Sequence, residues 1–492
     1  MKIAVVGGGI SGLTSLYLLH HHSSHQVEIL EKQDTFGGDA HTVLFQQPGY
    51  EECWTDTAFL VFNRSGWPNF VRFLDHLSVS VVKSAKSISI TDQTGYSWGS
   101  TNLGALFSTW SNIFKWRTWS MIFDIFRFHY SALQVLGSPK ANMTVGQWLA
   151  QEGYGNAFRD DYLLPFVGAL WSVPPDKVSS DFPIGILIQA WHNQKLLQLF
   201  DKDEYLTIDG GSKKYIDKIT QKVPTSAVHS NTTVISVTPT GNGVILTLIN
   251  GQQKHFDHVI FAVHPHVVTR LLTEGMSVKL RNALNGIEYS KFDIWLHYDD
   301  SARPKNHKVW AAWNMFTGSH STPKDITPSS CTPVTFDLNR LQNLPRNKYG
   351  SVLGTLNPVL EIDPKKVIAR RTYEMPVVSL AQRRAADLLA EVYEGRETNH
   401  PAIHLHPRLT ITGAWQGYGF HEDGFISGYL SAVRLGASPP FQLVSSDRSV
   451  EISLWDRMVS DILEGVQCIR MSLEKYHSSV WTMSLSPKWK LA

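Results

Sequence analysis

The hydrophobic pattern at the start of the chain changes from one period to another. Residues 3–6 are all apolar, which predicts a short buried strand, and the apolar run Leu13 to Leu19 predicts a helix. A glycine-rich turn, Gly7-Gly8-Gly9-Ile10-Ser11-Gly12, joins the two. A second strand is predicted over 26–31, and it ends in a carboxylate. The pattern therefore predicts the first strand–turn–helix–strand unit of an α/β domain.

Later apolar runs continue this α/β pattern. Residues 56–62, 257–263 and 409–414 predict buried strands, and the alternation over 228–248 predicts strands joined by a Gly-Asn-Gly hairpin turn. Between residues 104 and 135, aromatic side chains recur at helical spacing with basic residues among them. We favour a helical cap packed on the core; the alternatives are the wall of a substrate tunnel or a helix lying on a membrane surface.

The glycine spacing in the first turn indicates a binding site for a dinucleotide. In G-x-G-x-x-G between a strand and a helix, the first glycine permits the tight turn and the second admits a pyrophosphate. The third lets the helix pack closely on the strand. Here these glycines are Gly7, Gly9 and Gly12, and the start of the helix faces the phosphate charge. We expect this turn, with Ile10 and Ser11, to bind a dinucleotide.

Two further features support dinucleotide binding, and the second of them favours FAD over NAD. Glu31, followed by Lys32, lies where a carboxylate accepts hydrogen bonds from ribose hydroxyls. A second glycine turn follows over residues 36–42, and an NAD domain does not need it, whereas the longer FAD requires further backbone contacts. We expect contacts from Gly38, His41 and Thr42. A second fingerprint for NADPH is absent from the sequence, which disfavours two-nucleotide monooxygenases.

Composition narrows the class of protein. The 492 residues are 42% hydrophobic and 18% charged with a net charge of +2, and no long basic run indicates nucleic-acid binding. The 16 tryptophans suggest an aromatic-lined interior. The three cysteines form no C-x-x-C motif, which fits a reducing compartment. We find neither a secretory signal nor a transmembrane stretch, so we expect a cytoplasmic protein in which peripheral membrane contact is an open alternative.

Six sequence blocks then carry a family resemblance. They are Asp56-Thr57-Ala58-Phe59-Leu60-Val61-Phe62-Asn63, Asp161-Tyr162-Leu163-Leu164-Pro165 with Trp171-Ser172, Trp310-Ala311-Ala312-Trp313-Asn314, Asn339-Arg340-Leu341-Gln342, Leu356-Asn357-Pro358, and residues 413–424. The chain resembles the flavin amine oxidase superfamily over roughly residues 1–437. It is most similar there to predicted NAD/FAD-binding oxidoreductases associated with cyclopropane fatty-acid synthases.

The resemblance implies an α/β fold in which a mixed α+β substrate domain interrupts a Rossmann-type FAD domain. The FAD domain is expected over 1–76, 203–270 and 405–437. The substrate domain, with its helical cap, is expected over 77–202 and 271–404. A partly helical tail is expected over 438–492.

The resemblance also implies site residues. Val234 matches the strand position that meets adenine, and Gly413 with Glu422, Asp423 and Gly424 matches the segment at the flavin end. The C-terminal block contains no cysteine for a covalent flavin, so we expect noncovalent FAD. The arginine that commonly follows the second glycine pair is replaced by Asp39-Ala40-His41, and a family histidine is replaced by Met375.

The chemistry predicts the remaining candidates. Hydride transfer needs a dry cavity more than it needs an acid. We expect its walls among the aromatic residues Trp171, Trp310, Trp313, Trp415 and Tyr418. His421, Glu422 and Tyr373 are the candidates for proton transfer. The pairs His264/His266 and His404/His406 have no acid or cysteine at ligand spacing, so we expect no metal.

These features predict an FAD-dependent oxidoreductase acting on a small hydrophobic substrate of acyl or polyene type, as an oxidase, dehydrogenase or desaturase. The alternatives are a flavin-dependent double-bond isomerase, an amine oxidase, or a non-catalytic FAD-bound partner protein. The sequence does not choose the electron acceptor or the oligomeric state.

Overall fold

A computed structural model describes residues 1–198, 204–318, 332–395, 403–445, 450 and 452–484, with the backbone alone described for 473–484. Its strands are β1 (Lys2–Val6), β2 (Gln26–Leu30), β3 (Thr42–Phe45), β4 (Cys53–Asp56), β5 (Phe62–Asn63), β6 (Val81–Lys83), β7 (Ile88–Asp92), β8 (Ser97–Gly99), β9 (Tyr205–Ile208), β10 (Val228–His229), β11 (Val234–Thr240), β12 (Gly243–Leu248), β13 (Gln253–Phe256), β14 (His258–Phe261), β15 (Tyr289–His297), β16 (Trp313–Thr317), β17 (Val334–Asp337), β18 (Leu353–Leu356), β19 (Val367–Pro376) and β20 (Leu409–Ile411).

The α-helices follow the same chain order. They are α1 (Ile10–His22), α2 (Pro68–His76), α3 (Leu103–Leu106), α4 (Trp110–Ile113), α5 (Trp116–Ser131), α6 (Val145–Gln151), α7 (Asn156–Phe158), α8 (Leu164–Trp171), α9 (Pro175–Asp181), α10 (Ile184–Asn193), α11 (Lys213–Gln221), α12 (Pro265–Leu271), α13 (Val278–Asn285), α14 (Leu338–Leu341), α15 (Arg346–Tyr349), α16 (Leu380–Gly395), α17 (His421–Arg434) and α18 (Leu454–Ser484).

A five-stranded parallel sheet forms the first layer. Its order is β10-β2-β1-β14-β20, so strands from the beginning, middle and end of the chain lie side by side. The side chains of β1 alternate between the faces: Ile3 and Val5 pack with α1, α2 and α17, and Ala4 and Val6 pack beneath β11–β13 and α16. The predicted Rossmann-type α/β fold is confirmed, and its strand order explains why both faces of β1 are apolar.

A seven-stranded sheet forms the second layer. Its order is β19-β15-β18-β17-β16-β7-β8, antiparallel except where β7 meets β16. Helices α5 to α10 share an apolar core with one face of this sheet. The predicted domain boundaries stay a prediction, and the one near residue 203 lies outside the described residues.

Two predicted elements differ in the structure. The apolar run 56–62 is not one strand: β4 ends at Asp56 and β5 begins at Phe62. The run divides because its two ends pair in different sheets, β4 with β3 and β5 with β9, and the Asp56 carboxylate accepts hydrogen bonds from the Ser212 N–H and hydroxyl. The aromatic segment also differs, because α5 buries only part of it and Trp110 and Phe114 stay exposed. Over the described chain, no helix has the length and hydropathy needed to cross a membrane.

Candidate flavin site

The first glycine turn is shaped by three different constraints. Gly7 has φ +107°, and a Cβ there would lie 2.4 Å from the Ala262 carbonyl oxygen. At Gly12 a Cβ would lie 2.0 Å from the Gly7 oxygen, so α1 can approach β1 only without a side chain. Gly9, which begins α1 at φ −72°, has no atom within 4 Å of the place that a Cβ would take. Gly9 therefore borders open space, as a pyrophosphate approach requires.

The second glycine turn lies directly on the first. The Gly37 N–H donates to the Gly8 carbonyl over 2.8 Å, and a Cβ at Gly38 would lie 3.0 Å from the Gly9 Cα. Glu31 closes the end of β2, where its carboxylate accepts hydrogen bonds from the backbone N–H groups of Gly8 (2.6 Å) and Gln33 (2.8 Å). The two turns and the acid thus form one cradle beside the open space at Gly9.

The remaining predicted contacts of the ADP half lie beside this cradle. Ile10 and Ser11 are buried at the start of α1, and Lys32 is exposed next to Glu31. The Thr232 N–H donates to the Glu31 carbonyl over 2.7 Å, which sets Val234, the first residue of β11, close to the end of β2.

The C-terminal block packs on the same turn. A Cβ at Gly424 would lie 2.6 Å from Ile10, and one at Gly428 would lie 2.3 Å from the Ser11 carbonyl oxygen. The Ser427 hydroxyl accepts hydrogen bonds from the Thr412 hydroxyl (2.9 Å) and the Gly413 N–H (3.0 Å). Small residues therefore let α17 lie against α1, and α17 begins at His421 rather than at the predicted Gly424.

The two acids at the start of α17 are both engaged by backbone N–H groups. The Asp423 carboxylate accepts from the Phe420 N–H over 2.8 Å and caps α17. The Glu422 carboxylate accepts from the Asn69 N–H (3.0 Å), the Asn69 amide (2.7 Å) and the Phe70 N–H (2.8 Å), which open α2. Burial raises the pKa of Glu422 to about 7, against the opposing effect of these hydrogen bonds. A role for Glu422 in proton transfer stays a prediction beside this structural role.

His421 lies in an aromatic enclosure. Its ring stacks on Phe59 at 4.2 Å and meets Phe70 edge-on at 4.9 Å, and its Nε2 lies 3.0 Å from the Tyr215 hydroxyl. Burial lowers the pKa of His421 to about 3. The imidazole is therefore neutral near pH 7, and it does not offer the imidazolium proton of a general acid.

A chain of hydrogen bonds connects the predicted residues Tyr373 and His41. The Tyr373 hydroxyl lies 2.7 Å from the Thr57 hydroxyl, which lies 3.2 Å from both Nδ1 and the carbonyl oxygen of His41. Burial raises the pKa of Tyr373 to about 12 and lowers that of His41 to about 4. Thr57 was missed among the site candidates, although the block Asp56 to Asn63 contains it.

A second polar group lies beside this chain. The Thr42 hydroxyl donates to the Asp56 carboxylate over 2.5 Å and accepts from the Lys213 N–H at the start of α11. Burial raises the pKa of Asp56 to about 6. Asp56 and Ser212 were also missed, since nothing in their sequence spacing indicates that residues 156 positions apart share hydrogen bonds.

The predicted aromatic walls do not come together as one set. The Trp171 indole donates to the Tyr418 carbonyl over 2.9 Å, and its ring lies 5.1 Å from that of Phe420. Tyr418, Phe420 and Glu422 line a small pocket there. The other three lie elsewhere: Trp415 is buried beneath the parallel sheet, Trp310 stacks on His307 at 4.3 Å, and Trp313 contacts Phe336 at 5.0 Å.

Comparisons with known families agree with this geometry. A family model for NAD(P)-binding Rossmann-like domains matches residues 5–77, and one for flavin containing amine oxidoreductases matches residues 148–353. These matches support the resemblance to the flavin amine oxidase superfamily. The chain is a flavin-dependent oxidoreductase, and the predicted superfamily is confirmed. The link to cyclopropane fatty-acid synthases stays a prediction. A search of curated proteins found no match.

Solved structures share the fold of this chain at low sequence identity. A CLA-producing fatty acid isomerase from P. acnes is 13% identical with a TM-score of 0.62, covering 88% of this chain and 98% of its own. A putrescine oxidase bound to putrescine is 12% identical with a TM-score of 0.59, covering 88% and 99%. A protein assigned as a protoporphyrinogen oxidase, from Exiguobacterium sp. 255-15, is 12% identical with a TM-score of 0.59, covering 88% and 98%. At such identities the likeness establishes the fold alone.

Proposed function

We propose that the protein binds FAD noncovalently and moves a hydride between flavin N5 and a hydrophobic substrate of acyl or polyene type. One observation carries the proposal: open space beside Gly9 adjoins the second glycine turn, and the start of α17 packs on the same turn. The cradle fits the ADP half of FAD, because a Cβ at Gly9 would fill that space. FAD supplies the hydride acceptor when it is bound.

The residues around this cradle have separable roles in the proposal. The start of α1 at Gly9 faces the pyrophosphate charge, and Glu31 has lone pairs left to accept from ribose hydroxyls. The start of α17 provides positive partial charge at the flavin end. The chain Tyr373–Thr57–His41 holds β19 against the second glycine turn. Tyr373 stays protonated at neutral pH, so it can donate a hydrogen bond but does not act as a base.

The proposed substrate class rests on the side chains near the start of α17. Trp171 and Phe420 contact each other there, and His421 is neutral among Phe59 and Phe70. The Glu422 carboxylate is occupied by the N–H groups of α2 and does not stand free to pair with an ammonium ion. An apolar substrate loses little on entering such surroundings, whereas a cationic amine would lose its hydration without gaining a counter-ion. These contacts favour the lipid-like substrate over an amine.

Absorption spectroscopy and an anaerobic substrate screen test this proposal. We expect absorption bands at about 370 nm and about 450 nm, which are typical of bound flavin. We also expect acid precipitation of the protein to release intact FAD. Unsaturated fatty acids should bleach the flavin, while putrescine should not. Product without consumption of an oxidant would instead establish the isomerase. Peroxide release with amines alone would establish the amine oxidase. Flavin that no substrate reduces would establish a non-catalytic role and refute the proposal.

We also propose that the protein lies on a lipid bilayer through two exposed apolar faces. The first comprises Trp110, Phe114 and Trp116, which are 81%, 86% and 70% exposed. Lys115 lies within this segment. Large aromatic side chains with basic neighbours are the composition that interfacial helices use.

The second face belongs to α18, which turns polar side chains toward the protein and apolar side chains toward solvent. Ser460, Glu464 and Gln467 turn inward: the Ser460 hydroxyl lies 2.9 Å from that of Ser131, Glu464 pairs with Arg127 at 3.2 Å, and the Gln467 amide donates to the Gly153 carbonyl over 2.6 Å. At about 100° per residue, the apolar residues centre on the opposite side, and they are 46–80% exposed: Leu454, Trp455, Met458, Ile462, Val466 and Ile469. A bilayer is the occupant that would cover this face and also deliver an apolar substrate.

Vesicle sedimentation tests the membrane proposal. The double substitution Trp110→Ser with Phe114→Ser should weaken binding to phosphatidylcholine–phosphatidylserine vesicles at least tenfold, because two large apolar side chains are lost. Ile249→Ser is the matched control, since Ile249 is 69% exposed in the distant turn after β12. Absence of vesicle binding by the unsubstituted protein, or a self-associated form that the double substitution dissociates, would refute this proposal.

A further inference from the structure

Two histidines and a glutamate from separate parts of the fold meet beside the candidate site. His264 precedes α12, Pro265 opens the helix, and His266 is its second residue. Glu374 lies on β19, opposite Lys291 on β15. The sequence alone offered no acid for this histidine pair. The packing of β19 beside α12 brings Glu374 to the two histidines. The sequence-based reason for expecting no metal, the lack of an acidic ligand, is therefore wrong.

The spacing of the three side chains suits one metal ion. Each offers a ligand atom that lies within 4.8 Å of the other two, and His266 Nε2 lies 3.5 Å from Glu374 Oε2. Metal–ligand bonds of 2.0–2.2 Å in a tetrahedral site separate neighbouring ligand atoms by about 3.4 Å. One edge of the triangle already has this length. The longest would close by a contraction of at most about 1.4 Å, which half-exposed side chains allow.

The two imidazoles are held in place by a tyrosine. The ring of Tyr289 stacks on His264 at 5.5 Å and 14°, and it meets His266 edge-on at 4.4 Å and 83°. The His264 and His266 rings are 5.9 Å apart between centroids. His266 Nδ1 is buried without a hydrogen-bond partner.

We propose that His264, His266 and Glu374 bind a divalent transition-metal ion, with Zn²⁺ as the reference ligand. Imidazole with one carboxylate is a donor set that suits zinc and its neighbours rather than Ca²⁺ or Mg²⁺. The ion fastens β19 to the start of α12. Because β19 also carries Arg371, which donates to the Gly38 carbonyl over 3.0 Å, the site links the substrate sheet to the second glycine turn.

One group competes with the ion. Lys291 Nζ lies 3.7 Å from Glu374 Oε1, and its side chain is 72% exposed. The ammonium can therefore turn into solvent when the ion enters, but its charge still opposes binding. It follows that Lys291→Gln should bind Zn²⁺ more tightly than the unsubstituted protein.

The test is titration of the purified, chelator-treated full-length protein with Zn²⁺, followed by calorimetry, and with Co²⁺, followed by its visible absorption. We expect one ion per chain, at least tenfold weaker binding in Glu374→Gln and His266→Ala, and severalfold tighter binding in Lys291→Gln. His404→Ala, from the other His-x-His pair, should bind normally. Circular dichroism confirms that each variant is folded. Unchanged affinity in Glu374→Gln, weaker binding in Lys291→Gln, or no stoichiometric binding would overturn the proposal.

Discussion

Gly9→Ala is the substitution that separates the cofactor role of the first glycine turn from its structural role. Gly9 has an ordinary φ of −72° and no atom within 4 Å of an added Cβ. The fold should therefore accept alanine. Alanine restricts the unfolded chain more than glycine does, which stabilises the folded state by about 0.4–1 kcal/mol. Alanine is also a poorer N-cap for α1, which costs about as much. The free energy of unfolding should change by less than about 1 kcal/mol.

The same methyl group should weaken FAD binding strongly. A Cβ at Gly9 occupies the space proposed for the pyrophosphate, and forcing an extra carbon into a close-packed contact costs about 1–3 kcal/mol. That cost corresponds to about 5- to 150-fold weaker FAD binding. Gly12→Ala should behave in the opposite way, because its Cβ would lie 2.0 Å from the Gly7 oxygen and the loss should appear in stability.

The assay is a titration of the deflavinated protein with FAD, followed by flavin fluorescence, alongside thermal unfolding without FAD. Gly241→Ala is the matched control, since it also adds a methyl group to open space but lies in the hairpin turn before β12. Our reasoning is refuted if Gly9→Ala binds FAD within twofold of the unsubstituted protein, or if its unfolding temperature falls as far as that of Gly12→Ala.

Three further predictions follow from the hydrogen bonds and packing of the site. Burial raises the pKa of Glu422 from 4.5 to about 7, so the folded state holds this proton more tightly than the unfolded state does. The free energy of unfolding should therefore fall by up to about 3 kcal/mol as the pH rises from 4.5 through 7. Glu422→Gln should remove this pH dependence in urea titrations at several pH values, and an unchanged slope would contradict the assignment. Tyr373→Phe should cost about 1 kcal/mol of stability through the lost Thr57 contact, and a kcat unchanged within threefold would exclude Tyr373 as a proton donor. Gly428→Ala, whose Cβ would lie 2.3 Å from the Ser11 carbonyl oxygen, should separate α17 from α1 and lower both stability and FAD affinity; loss of neither would show that the helices adjust without cost.

The first glycine turn was predictable because a strand, a turn and a helix adjoin in the chain. Apolar period and glycine spacing are enough to identify them, and the same holds for the hairpin around Gly241. The run 56–62 was mispredicted as one strand because its two ends pair in different sheets, β4 with β3 and β5 with β9. Periodicity could not predict which aromatic side chains of segment 104–135 are buried, because helical spacing is the same whether a face packs on the core or lies in solvent.

The sequence by itself determined the Rossmann-type fold, because a strand, a glycine turn and a helix adjoin in the chain. Only the tertiary structure decided which chemistry the other candidates can perform. It tied Glu422 to the start of α2, made His421 neutral by enclosing it in aromatic rings, and brought Glu374 to His264 and His266. The charge state and partners of a side chain depend on burial and on neighbours from distant segments, and a one-dimensional pattern contains neither.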